Sequence, residues 1–211
     1  LSGGRKHGFA LERAVFLTVL HRLFGGGSDR AADRWREDYA VAGTDGLDLH
    51  HLYRAMAWLG EELPAKEQDG RTLFAPRCLK DVVEERLFDH RRDLLTRLDL
   101  VFMDTTSLYF EGAGGQTLGQ HGYSKDHRPD LRQMILAVVI DGDGRPVCSE
   151  MWPGNTADVT VLLPVVDRLR RRFAIGRVCV VADRGMISAE TIAGLLRDLV
   201  KTLPSEHLRD K

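Results

Sequence analysis

The chain has 211 residues, 43% hydrophobic and 29% charged; this excludes a disordered or low-complexity protein and suits a helical region joined to an α/β core. Its 30 basic and 31 acidic side chains leave a net charge of −1, a balance that neither demands nor excludes a nucleic-acid partner, because a basic face can coexist with an acidic site. No apolar run approaches the roughly 20 residues of a membrane-spanning helix, no secretory leader is recognisable, and Cys78, Cys148 and Cys179 are too scattered for a disulfide framework or a zinc site, so a cytoplasmic location with reduced thiols is expected.

Residues 11–24 carry apolar side chains at helical spacing and stop at Gly25-Gly26-Gly27. Ser28 or Asp29 can cap a second helix over 31–39, and a third runs through 49–63 to end before Pro64. Residues 64–77, with Pro64, Gly70 and Pro76, read as a connector, and a charged helix covers about 78–97. The character then changes. Residues 99–110 (DLVFMDTTSLYF) are rich in β-formers and read as a strand broken near Asp104, and 111–130 is a Gly-rich loop or loose hairpin. QMILAVVI is a nearly unbroken apolar run and so a well-buried strand; Asp141-Gly142-Asp143-Gly144 supplies a turn, and RPVCSEMW returns as its partner, completing a meander. A helix follows through 159–173, in which Pro164 marks either a bend or the true first turn. RVCVVAD is a short strand, and a last helix begins at Ser188. The order β-β-β-α-β-α implies an α/β sheet whose last strand lies parallel to another.

Two carboxylates share one setting. Asp104 follows LVFM and Asp183 follows VCVVA, each at or just beyond the end of an apolar strand, where open α/β sheets build their sites. Held there, they could share Mg²⁺ or Mn²⁺ ions about 3.5–4 Å apart, hard cations that suit oxygen ligands and in-line phosphoryl displacement. From spacing alone a turn-forming or capping role for both stays open.

Four ordered strings, MDTTSLYFEG, HGYSKDHRPDLRQ, VCSEMWPGNTAD and VVADRGMIS, closely resemble the DDE transposases of one bacterial insertion-sequence branch, and the likeness spans nearly residues 10–195. The resemblance implies an RNase H-like mixed sheet preceded by a helical N-terminal region, with Asp104 as the first catalytic aspartate and Asp183 as the second. It implies metal-dependent hydrolysis at the element's ends, attack of the freed 3′-OH on target DNA, double-stranded DNA as partner, a nucleoid-associated location, and allows a homo-oligomer. The family's third acid, a glutamate in a Tyr-Arg-Glu-Lys pattern, has no counterpart before Lys211. The expectation is therefore an incomplete core: residues 1–77 helical, 78–195 a partial catalytic core, 196–211 an out-of-frame tail, with Leu1 as a start inside a frame. Such a chain would be inactive in catalysis.

Glu150 and Glu190 do not occupy the family position of that glutamate, and Glu111 needs no special role at the start of a loop. Lys125, Arg128 and Arg132 form a basic cluster suited to DNA phosphates, with mixed-charge solvation as the plainer alternative. Arg168, Arg170, Arg171 and Arg172 crowd a helix end, where cations complement its dipole and could also meet phosphates. His50 and His51 read as surface or packing residues without a third ligand, and Asp141 and Asp143 as turn formers rather than a calcium loop. Two other functions remain in competition: an aspartyl-nucleophile phosphatase or ATPase built on Asp104, against which stands Thr106 where a second Asp would be needed, and a non-enzymatic DNA-binding remnant.

Overall fold

The computed structural model describes residues 7–71, 74–91, 100–112, 114, 117–123, 127–173, 179–182 and 186–202. The chain forms two compact units, residues 1–67 with 78–83, and residues 68–77 with 84–211.

The first unit is helical. Helix α1 (Leu11–Phe24) ends as expected, with Gly25 and Gly26 donating to the His21 carbonyl and Gly26 and Gly27 turning at φ 65° and 105°. Helix α2 (Asp29–Asp38) starts two residues before the expected position; Ser28 is the cap, its hydroxyl accepting the Ala31 N–H at 3.3 Å. Helix α3 (Leu49–Leu59) stops earlier than the expected Leu63. Gly60, costly inside a helix, closes the turn onto Met56, and Glu62 then pairs with Cys78 in an extended bridge. Ala14, Leu17, Ala32, Leu47, Leu52 and Ala55 form the core of this unit.

The second unit carries a four-stranded sheet in the order β3-β2-β1-β4. Strands β1 (Leu100–Phe110), β2 (Arg132–Asp141) and β3 (Pro146–Pro153) form the expected antiparallel meander, and β4 (Cys179–Ala182) lies parallel to β1. The β2–β3 turn is built by Asp141, whose Oδ1 accepts the Asp143 and Arg145 N–H groups, with Gly144 at φ 77°. Helix α4 spans Leu79–Arg91, α5 (Asp158–Phe173) crosses between β3 and β4, and α6 (Ala189–Thr202) follows. Ser188 caps α6, its Oγ accepting from Thr191 N while Thr191 Oγ1 accepts from Ser188 N. The continuation of the fourth expected helix to residue 97 lies outside the described residues.

One face of the sheet makes the core. Val101, Met103, Ile135, Ala137, Val139, Val147 and Trp152 pack against Val161, Leu162, Val165, Val166, Leu169 and Phe173 of α5. The burial of β2 alternates strictly, so QMILAVVI is not buried on both faces: Met134, Leu136, Val138 and Ile140 are only half-buried. With Phe102, Leu108 and Val181, which are 38%, 41% and 44% exposed, they make the second face apolar and open among the described residues. Pro164 is inside α5, not in its first turn. The Pro removes the bond to the Thr160 carbonyl without ending the helix, because both sides of the break pack into the core.

Candidate active site

Asp104 sits on the open face. The strand is not broken there, as the sequence suggested; β1 runs on through Asp104 to Phe110 because β2 pairs with it the whole way, Asp104 opposite Val138. On its other side β1 pairs with β4, whose described part runs to Ala182 opposite Met103; Asp104 thus follows the last described pair, towards the C-terminal end of β4, the end at which α/β sheets collect functional side chains. Alternation puts Val101, Met103 and Thr105 into the core and leaves Phe102, Asp104 and Thr106 exposed.

The Asp104 carboxylate is exposed, and its Oδ1 accepts the N–H of Thr105 at 2.7 Å. Among the described residues no cation is paired with it. Its neighbours on the face are apolar, Phe102 and Val138, so one carboxylate oxygen remains available to a ligand from solvent. That donor fits a hard cation such as Mg²⁺ or Mn²⁺, whose preferred partners are carboxylate oxygens and water. Asp183, next in the chain after Ala182, lies outside the described residues.

Of the acidic residues weighed as substitutes for a third ligand, one is engaged elsewhere. Glu150 is 3% exposed on the core side of β3 and is held by Arg168 and, at 3.2 Å, by Arg172. Glu190 is exposed in the first turn of α6, where it complements the helix dipole. Glu111 is exposed at the end of β1.

The arginine run at the end of α5 departs from its expected reading as cations that complement the helix dipole or meet phosphates. The side chain of Arg172 is 1% exposed and meets three carboxylates: Glu84 and Glu85 at 2.8 Å each, and Glu150. Arg77 closes on Glu85 at 2.6 and 2.7 Å, and Glu84 also accepts the N–H and O–H of Ser149, both at 3.0 Å. A buried network therefore joins the connector, α4, β3 and α5, while Arg171 faces outward to Asp167. Helix-end position could not distinguish these; the i, i+4 spacing puts Arg168 and Arg172 on one side of the helix but does not say that this side is the buried one. Helix α4 also covers the sheet's edge, since Arg91 donates to the Pro146 carbonyl at 2.6 Å beside the Glu84–Ser149 contacts.

Of the basic cluster expected to meet DNA, Lys125 lies outside the described residues. Arg128 is exposed and forks onto Asp130 with two 3.0 Å hydrogen bonds, which holds the Asp130 carboxyl below its usual range and raises Arg128. Arg132 is half-buried and donates to the Gly119 carbonyl at 3.1 Å. In the first unit, Asp48, His50 and His51 bring one possible donor atom each within 4.8 Å, so the histidines do have an acidic neighbour that the sequence reading missed. His51 Nδ1, however, accepts the Asp48 N–H at 2.9 Å. A cation would compete with that bond at the positive end of α3, so the group caps the helix.

Residues 96–204, more than half of the chain, match the family described as Transposase DDE domain. The chain belongs to that family. Among solved structures it is similar to the Mos1 transposase paired-end complex with left transposon end (12% identity, TM-score 0.31, covering 92% of this chain and 59% of that one). It is similar also to the Mos1 strand transfer complex (15% identity, TM-score 0.29, 94% and 58%) and to the mariner Mos1 paired-end complex with Mg (17% identity, TM-score 0.28, 95% and 60%). The chain thus spans about three-fifths of the length of the Mos1 chains, 59% of the first. No curated protein matches it.

Proposed function

We propose that this chain carries part of the metal-binding centre of a DNA transposase, with Asp104 and Asp183 as its two carboxylates and double-stranded DNA, the ends of a mobile element and its target, as substrate. The observation that carries the reading is Asp104 itself: an exposed carboxylate, without a described cationic partner, on the apolar face of a strand flanked by β2 and β4. A charged group on such a face is unfavourable unless it is solvated or ligated. Asp183 follows directly in the sequence after Ala182, which faces Met103 of β1. Two such carboxylates would hold Mg²⁺ or Mn²⁺. When bound, the ions supply charge stabilisation to the attacking and leaving oxygens of an in-line displacement at phosphorus.

The protein's own part in that chemistry is positional. The pairing of β1 with β2 on one side and β4 on the other fixes the Asp104 backbone, and the Thr105 N–H fixes one of its carboxylate oxygens. Arg128 and Lys125 would grip phosphates, which sets the register of DNA without reading its sequence. Glu150, buried and held by Arg168 and Arg172, is not available to this centre as a further carboxylate, so the test reads binding of metal and DNA as well as cleavage.

The test is incubation of the purified chain with duplexes bearing the repeats that flank its coding region, with Mg²⁺ or Mn²⁺. Metal-stimulated binding or slow nicking, lost in Asp104→Asn and in Asp183→Asn, is the expected result. Metal-stimulated activity that survives both substitutions would overturn the assignment.

A further inference from the structure

A second built feature lies five residues further along the β1–β2 ladder from Asp104, about 17 Å away along the strand. Segment 117–123 crosses the ends of β2 and β3 as a strap. Gln120 and Gln133 exchange backbone hydrogen bonds at 3.0 and 2.9 Å, Gly154 N donates to the Leu118 carbonyl at 3.0 Å, and Arg132 holds Gly119. The Gln133 side chain, 1% exposed, spends Nε2 on two carbonyls, those of Tyr123 and Gly154, both at 2.9 Å. The backbones meet so closely that a Cβ on Gly122 would fall 1.9 Å from the Gly154 oxygen, and one on Gly154 2.0 Å from the Gln133 oxygen. Only glycine fits at either crossing.

At the end of this fixed strap the ring of Tyr123 is 87% exposed. An aromatic of this size ordinarily covers its apolar ring against neighbours; here the backbone is fastened while the ring stands in water, close in sequence to the exposed Arg128. We infer that Tyr123 is a nucleic-acid contact whose ring stacks on an unpaired base of a bound strand, and that Gln133 is the positioning residue that fixes the backbone from which the ring projects. Rings on a rigid support lose little freedom on binding, and every base offers a face to stack on. The inference rests on the proposal that this chain binds DNA.

Affinity for a labelled single strand and for the matching duplex, measured at low salt, tests it. Tyr123→Ala should weaken single-strand binding roughly tenfold or more, Tyr123→Phe should bind as the unaltered chain does, and the loss should be larger for the single strand than for the duplex. Gln133→Met should weaken binding comparably, and the double variant should bind no worse than Tyr123→Ala alone, because Gln133 acts through Tyr123. If Gln133→Met does not fold, Gln133→Asn takes its place. Binding by Tyr123→Ala equal to that of the unaltered chain overturns this inference and leaves the proposed function standing. Additive losses in the double variant overturn the role of Gln133, and absence of any binding by the unaltered chain overturns both readings.

Discussion

At Arg172 the protein buries a cation among three carboxylates, and the arrangement is balanced only while all members are present. Replacing Arg172 by Met would take from Glu84, Glu85 and Glu150 a cation that all three share, and should cost about 3–5 kcal/mol in urea unfolding. A loss below about 1 kcal/mol would mean that the network is screened like a surface pair. The thiols allow a second check. Burial, and next the charge of Asp81, push the Cys78 thiol above its usual range, whereas Cys179 is exposed. Iodoacetamide should therefore modify Cys179 well before Cys78 at neutral pH, and equal rates would contradict the environment described. Because the Cys78 value is raised on folding, its contribution to stability is complete below the unfolded thiol's pKa and is lost as the pH rises towards the folded value. These local settings were not legible in the sequence. Arg168 through Arg172 read as one basic run, and only the fold separates the two that turn inward from Arg171, which turns out.

At the level of elements the sequence was more informative. The triple glycine, the Ser28 and Ser188 caps, the Asp141 turn and the order of strands are local signals, and the structure follows each. The misreadings arose where distant pairing overrides local character. Thr105, Thr106 and Asp104 looked like a strand break, but β2 carries β1 through them. Pro164 read as either a bend or a helix start, and the structure puts it inside α5, which core packing on both sides keeps whole. Pro164→Ala should therefore restore a backbone hydrogen bond and raise stability by about 1 kcal/mol or more; a fall in melting temperature would show that the ring itself fills space the core needs. In the same helix, Leu169→Ala, at 2% exposure, should cost about 2–5 kcal/mol, measurable by denaturant titration, and a cost under 1 kcal/mol would place Leu169 outside the core.

At the largest scale, a sheet with one packed face and one face open among the described residues sets the properties to expect. Phe102, Leu108 and Val181 present apolar surface beside a carboxylate, so the chain should bind a hydrophobic dye and self-associate as concentration rises. Phe102→Ser with Val181→Thr should reduce both in light scattering, and an unchanged sedimentation profile would contradict this. The same face explains why family membership could be reached from sequence while the site could not be completed from it. Asp104 is recognisable by its setting after LVFM, but its mid-strand position, its apolar neighbours and the loss of Glu150 to arginine all depend on contacts between segments far apart in the chain. The central claim, that Asp104 belongs to a divalent-metal centre, is tested most directly by Mn²⁺ titration followed by electron paramagnetic resonance on the unaltered chain and on Asp104→Asn and Asp183→Asn. The account predicts binding that is lost in each variant while circular dichroism and melting remain unchanged. Undiminished Mn²⁺ binding by folded Asp104→Asn would contradict it.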